Sequence, residues 1–242
     1  MISLRRRPPQ SWIDFWNGET AIFANGRHRR LHYEELAREL AVFIPDGGRV
    51  LDYGCGETLC ADDLARRCES LLLFDAAPAI REKLRERFGN NAAIRVLDDD
   101  GLAAATCASL DLVVVNSVIQ YLSRAEFLSL LDFCRARLRE QGRLLLSDVP
   151  LQQGSPFADA VALLQFSWRG GFFFSAITSL ARLYFSDYRR LRRERGFASY
   201  AEEELDAMLR QHGFCVSPLA RNIGHNQNRR SLIAHVVHRS PE

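Results

Sequence analysis

A chain of 242 residues that is 47% hydrophobic can bury one sizeable core, and its 32 basic and 30 acidic residues leave a formal net charge of only +2, which gives no nucleic-acid signature. No apolar run reaches membrane-spanning length, and the basic start Arg5-Arg6-Arg7 has no apolar stretch behind it that would make a secretory leader. The six cysteines contain no C-x-x-C pair, so reduced core thiols are expected rather than disulfides or a metal site, and the chain reads as a soluble cytoplasmic protein.

In chain order, the first segment carries Trp12, Phe15, Trp16 and Phe23, then the polar run Arg27 to Tyr33, and a helix is expected over Tyr33 to Ile44. Next comes Arg49-Val50-Leu51-Asp52-Tyr53-Gly54-Cys55-Gly56-Glu57-Thr58. An apolar run ends in an acid, and two glycines follow at alternate positions. This is how a buried strand turns sharply into a helix with its backbone open to a ligand. Thr58 is placed to cap a helix starting near Leu59.

A second strand, Leu71 to Phe74, ends in Asp75, and a helix with apolar residues every four positions follows from Ala79 to Phe88, closed by Gly89. Ile94 to Leu97 reads as a third strand ending in Asp98-Asp99-Asp100, and Leu110 to Val115 as a fourth ending in Asn116. Ser123 and Glu126 predict a capping box, with Leu122 and Phe127 placed as a hydrophobic staple and Gly142 after the last turn. Arg143 to Leu146 is a fifth strand. A segment from Gly154 to Gly196 is rich in aromatic residues and ends in the basic run Arg189 to Arg195. Ser199 and Glu202 suggest a second capping box on a helix ending before Gly213. Phe214 to Leu219 and Ser231 to His238 then pair as an antiparallel hairpin at one edge.

Alternating strands and helices give an α/β fold, a doubly wound, mostly parallel sheet. The acids Glu57, Asp62 and Asp63 at the first turn would repel a pyrophosphate, and a dinucleotide fingerprint's third glycine falls on Leu59. A cationic or zwitterionic ligand suits this turn better.

The stretch Val50 to Thr58 resembles the glycine-rich first motif of class I S-adenosylmethionine-dependent methyltransferases. Asp52, Gly54 and Gly56 match that motif, and Thr58 stands where its last glycine would be. The segment Asn116-Ser117-Val118-Ile119-Gln120-Tyr121 is similar to one in methylation domains of peptide synthetases. The resemblance implies a Rossmann-like seven-stranded sheet with an antiparallel last strand, S-adenosyl-L-methionine as methyl donor, and a single domain. Residues 1–45 would form an N-terminal helical cap, 46–150 the donor-binding core, 151–198 a helical insertion or lid, and 199–242 the last helix and hairpin. It places Asp52, Tyr53, Gly54, Cys55, Gly56, Asp75, Ala76, Asp98, Asp99, Asn116 and Ser117 around the donor. Asp75, 19 positions after Gly56, would hold the ribose hydroxyls, and Asp99 the adenine amino group.

Methyl transfer needs alignment of an acceptor behind the methyl carbon and exclusion of water, with a base only where the acceptor must lose a proton. His225, Tyr121 and His32 are the candidates on the acceptor side. The expected acceptor is a small, amphipathic molecule and no nucleic acid. The basic run leaves room for an anionic substrate or for peripheral membrane contact, and a solvated cationic helix face is the plainer alternative. Two rivals stand beside this reading: a catalytically silent protein of the same fold that binds or regulates, and a nicotinamide oxidoreductase.

Overall fold

The computed structural model describes residues 9–18, 22–184 and 186–237. Seven strands form one sheet in the order β3-β2-β1-β4-β5-β7-β6. They are β1 (Gly48–Tyr53), β2 (Cys68–Phe74), β3 (Ile94–Val96), β4 (Leu110–Asn116), β5 (Leu138–Pro150), β6 (Phe214–Pro218) and β7 (Arg229–Val236). β1 to β5 run parallel, and β7 lies antiparallel between β5 and β6. The expected seven-stranded sheet with a reversed last strand is therefore present. The last hairpin is a true β6–β7 pair, though the expected end of its second strand, His238, lies outside the described residues.

The central strands are apolar almost without break because both faces of the sheet are covered. Side chains alternate between two cores. Leu51, Val113, Leu144 and Leu146 face one side, with Phe127 and Leu131 of α6 (Arg124–Arg137) and Leu205 and Leu209 of α10 (Glu202–Gln211). Val50, Leu112, Val114 and Leu145 face the other. There they meet α2 (Gly26–Leu40), α3 (Ala61–Ala65) and α4 (Pro78–Phe88) through Leu36, Leu64 and Leu84.

Several local expectations meet a correction. The helix expected from Tyr33 starts at Gly26, because the Asn25 side chain accepts from His28 N and caps it earlier. Thr58 caps nothing with its side chain: it sits at φ +26°, the turn runs on, and α3 starts only at Ala61. Gly142 lies inside β5, where a Cβ would stand 2.8 Å from the Leu110 carbonyl oxygen. The Ser199–Glu202 box does not form. Tyr200 is held to the end of β5 by backbone hydrogen bonds, so α10 begins at Glu202, which instead pairs with Arg230. The Ser123–Glu126 box is complete, with Ser123 N donating to Glu126 Oε2 at 2.7 Å. A short helix, α1 (Trp12–Asn17), opens the described chain within the segment expected as a helical cap, and Asp99–Ala103 form α5, which was not expected.

Between β5 and α10 stand α7 (Pro156–Gly170), α8 (Phe173–Tyr184) and α9 (Asp187–Glu194). α7 packs on α2 and α8, and α9 on α8 and α1. No helix among the described residues is long and apolar enough to cross a membrane.

Candidate active site

The strand order reverses between β1 and β4, so a crevice opens beyond their carboxyl ends. The register pairs Tyr53 with Phe74 and Asn116 with Ser147, which brings the ends of β1, β2, β4 and β5 to one rim.

At that rim Gly54 and Gly56 take φ +74° and +58°. A Cβ on Gly54 would lie 2.3 Å from Val118, and one on Gly56 2.9 Å from the Tyr33 hydroxyl, so the turn closes only without side chains. Gly54 N and Cys55 N both donate to the Phe74 carbonyl oxygen, at 2.7 and 3.1 Å. Gly56 N donates to Asp75 Oδ2 at 3.0 Å and Ala77 N to Asp75 Oδ1 at 2.8 Å, so Asp75 ties the glycine turn to the start of α4. Burial raises the Asp75 carboxyl, and these two backbone donors and Arg81 oppose it.

Asp52 is buried, at 6% exposure, and among the described residues nothing donates a hydrogen bond to its carboxylate. Burial, then the charge of Asp75, pushes it up to about 7. An uncompensated buried acid next to a second acid favours a ligand that brings positive charge and hydroxyl donors. S-adenosylmethionine carries an ammonium, a sulfonium and a ribose diol, and the residues present fit it. Asp52, the Gly54–Gly56 backbone and Asp75 would hold it.

The other expected donor contacts are placed less uniformly. The Asp98 side chain caps α5 by accepting from Gly101 N at 2.8 Å. Asp99 is 76% exposed at its side chain and pairs with Arg81 at 3.2 Å. Arg81, which belongs to no sequence motif, is buried on α4 and also donates to the Asp75 carbonyl oxygen at 2.8 Å. Spacing alone does not separate it from Arg85 and Arg87 on the same helix; its burial does. Ala76 is exposed at the same turn. Cys55 is buried, and burial raises its thiol. The Tyr53 ring packs on Phe74 and Phe133, with centroids 5.1 and 6.4 Å away, so it belongs to the core under the site.

Beyond β4 and β5, Ser117 and Asp148 both take φ +56°. Non-glycine residues in this region cost about 1–3 kcal/mol each and gather at functional sites. Ser117 Oγ donates to Asp148 Oδ2 at 2.6 Å, and Asn222 Nδ2 to Asp148 Oδ1 at 3.4 Å. Asn116 Oδ1 accepts from Ser147 Oγ at 2.8 Å, and Gln120 Nε2 donates to the Ser117 carbonyl oxygen at 2.7 Å. Asp148 and Asn222 were absent from the expected site; Asp148 directly follows the expected fifth strand and Ser147, which was the available signal.

Tyr121 is half-buried under α1, its ring 4.7 Å from Trp12 and 5.9 Å from Trp16 and Phe197. Burial raises its hydroxyl well above the ordinary range, as does Tyr188 beside it. Asn17 Oδ1 accepts from Ala79 N at 3.0 Å, so α1 bridges from the start of α4 to Tyr121.

His32 and His225 come together in a second aromatic chamber, centroids 6.2 Å apart, with His28 6.5 Å from His225. His225 stacks on Phe166 at 4.6 Å and His28 on Phe172 at 4.8 Å. Burial pushes His28 and His225 down to about 4 and His32 to about 3, so all three are neutral bases at neutral pH. Contact runs from His32 to the Tyr33 ring, 5.2 Å away, and from the Tyr33 hydroxyl, which accepts from Glu57 N at 3.0 Å, to the glycine turn. No ring contact or hydrogen bond joins Tyr121 to this histidine group among the described residues. His28, Phe166 and Phe172 come from a helix and an insertion far apart in sequence, and spacing gave no way to assemble them.

A family model described as "Methyltransferase domain" matches residues 26–218. The chain is 29% identical over 138 residues to the ubiquinone biosynthesis O-methyltransferase of Xanthomonas euvesicatoria pv. vesicatoria (strain 85-10), covering 56% of this chain and 54% of that protein. It is also 29% identical over 138 residues to the protein of that name from Cereibacter sphaeroides (strain ATCC 17029 / ATH 2.4.9), covering 55% and 53%. The matches thus span about half the length of these curated relatives. Among solved structures, magnesium protoporphyrin IX methyltransferase from Synechocystis PCC 6803 with bound SAH has a TM-score of 0.55 at 17% identity, with 88% of each chain covered. A SAM-dependent methyltransferase from Aquifex aeolicus has a TM-score of 0.56 at 14% identity, covering 86% of this chain and 96% of that one. At these identities the two structures speak for the fold.

Proposed function

This chain belongs to the methyltransferase-domain family, of the class I S-adenosylmethionine-dependent type, and we propose that it transfers a methyl group to an oxygen of a small, amphipathic acceptor. The observation that carries the reading is Asp52, a buried acid with no hydrogen-bond donor among the described residues, set beside Asp75 under a glycine turn that excludes side chains. When bound, the donor supplies an electrophilic methyl carbon on a sulfonium.

The chain's residues then have three tasks. Asp75 and the Gly54–Gly56 backbone orient the nucleoside, while Asp52 offsets positive charge. Trp12, Trp16 and Tyr121 exclude water above the crevice, and α1 is positioned to close it. Phe166, Phe172 and the histidine rings provide an apolar wall for the acceptor. His225, kept neutral by burial, would accept the acceptor's hydroxyl proton as the C–O bond forms and the methyl–sulfur bond breaks to leave a neutral thioether, and His32 would line the path to the donor. The similarity to two ubiquinone biosynthesis O-methyltransferases supports oxygen as the acceptor atom.

Incubation with isotopically labelled donor and a metabolite extract, followed by mass analysis, tests this. Label in an ether or ester product is the expected result. Donor binding without transfer to any component would favour the silent binding protein. Binding of NAD in place of the donor would favour the oxidoreductase.

A further inference from the structure

Helix α7 carries two apolar stripes. One, with Ala162 and Phe166, is buried against α2 and α8. The other, Phe157, Val161, Leu164 and Trp168, recurs at spacings of four, three and four, so it forms a second continuous face. Phe157 is 77% and Trp168 73% exposed. Across the α7–α8 turn this face continues into Phe173, whose ring lies 5.5 Å from Trp168, then Phe174 at 83% exposure and Ile177 one turn on. Val161, Leu164, Gln165, Trp168, Arg169 and Phe173 line a groove here of about 480 Å³. Nothing among the described residues covers it, and a contiguous exposed patch of large apolar residues calls for a partner.

The charges around the face choose that partner. Between Pro156 and Tyr184 the only acid is Asp159, and it is held by Arg229 at 2.9 Å and Asn226 at 2.7 Å. Arg169 lines the groove, and Arg182 is exposed on α8 without an ion-pair partner among the described residues. From the neighbouring α2, Glu35 feels the charge of Arg169. On α9, Asp187 and Glu194 both pair with Arg190, and Arg192 lies 4.0 Å over the Phe197 ring, away from this groove. Exposed aromatic side chains with Arg169 at their groove and Arg182 exposed on the adjoining helix suit the boundary between headgroups and acyl chains.

We propose that this face of α7 and α8 docks on an anionic lipid bilayer. The apolar side chains enter the acyl boundary and Arg169 and Arg182 meet lipid phosphates. The inference is independent of methyl transfer, because its readout is binding to vesicles. The full chain is sedimented with phosphatidylglycerol–phosphatidylcholine vesicles and with phosphatidylcholine alone. Binding to the first only, weakened by salt, is expected. Arg182→Gln should weaken it roughly fivefold and Trp168→Ser roughly tenfold. Val42→Ser, at an equally exposed valine away from this face, should leave it unchanged. All three positions are exposed, and unchanged circular dichroism will show that each variant folds. The proposal is overturned if the wild type ignores anionic vesicles, binds both kinds equally, or binds equally well after Trp168→Ser. It is also overturned if light scattering shows a dimer that Trp168→Ser dissociates, since the face would then be an interface between two copies.

Discussion

Replacing Asp52 by asparagine should stabilise the free protein at neutral pH while weakening its hold on the donor. In the unfolded chain this carboxyl ionises from 3.8 upward; in the folded protein it keeps its proton until about 7. The folded state therefore binds more protons across that window, and stability falls as pH rises through it. At about 1.4 kcal/mol per pH unit, the loss reaches about 4 kcal/mol above pH 7 and vanishes below pH 4. An amide at this position has no charge to bury, and losing the carboxylate would also relieve Asp75, whose charge now repels Asp52. Urea unfolding at pH 4.5 and pH 8, each for both proteins without donor, gives the comparison. The variant's advantage should grow by about 3 kcal/mol between the two pH values. Calorimetry at pH 8 should show donor affinity lower in the variant. An advantage that does not change with pH, or a variant with undiminished donor affinity, would refute the picture of a buried acid awaiting a cation.

Asp75→Ala removes the acceptor of two backbone N–H groups and the expected ribose contact, and should weaken donor binding by about 100-fold in calorimetry. His225→Ala should lower kcat by about 100-fold with donor Kd nearly unchanged; because burial holds His225 at about 4, wild-type kcat should show no histidine limb between pH 6 and 8. Ser123→Ala breaks the capping box of α6 and should cost about 1 kcal/mol in urea unfolding, with no effect on donor affinity.

The sheet and its glycine turn were readable because they are local. Buried strands announce themselves as apolar runs such as Leu71 to Phe74, and a turn that excludes Cβ atoms demands Gly54 and Gly56 wherever the rest of the chain goes. The acid at each strand end was visible for the same reason, since Asp52 and Asp75 each follow directly on such a run. Helix starts were less legible. Asn25 captured α2 earlier than expected, and the pairing of Tyr200 with the end of β5 overrode a Ser199–Glu202 signal that competes only weakly with backbone bonds.

The proposed acceptor side depended on the tertiary structure. His28 and His32 lie on one helix, Phe166 and Phe172 on an insertion, and His225 on the last loop, and their meeting depends on how α2 and α7 pack. Their low basicity likewise follows from shared burial, which no single residue carries in its own sequence context. The sequence determined the strand-turn-helix frame and the glycines and acids at its strand ends, because those are set by backbone sterics and short-range hydrophobic pattern. Packing decided which side chains face one another across the crevice, because contacts between distant segments arise only when separate elements bury their apolar faces together.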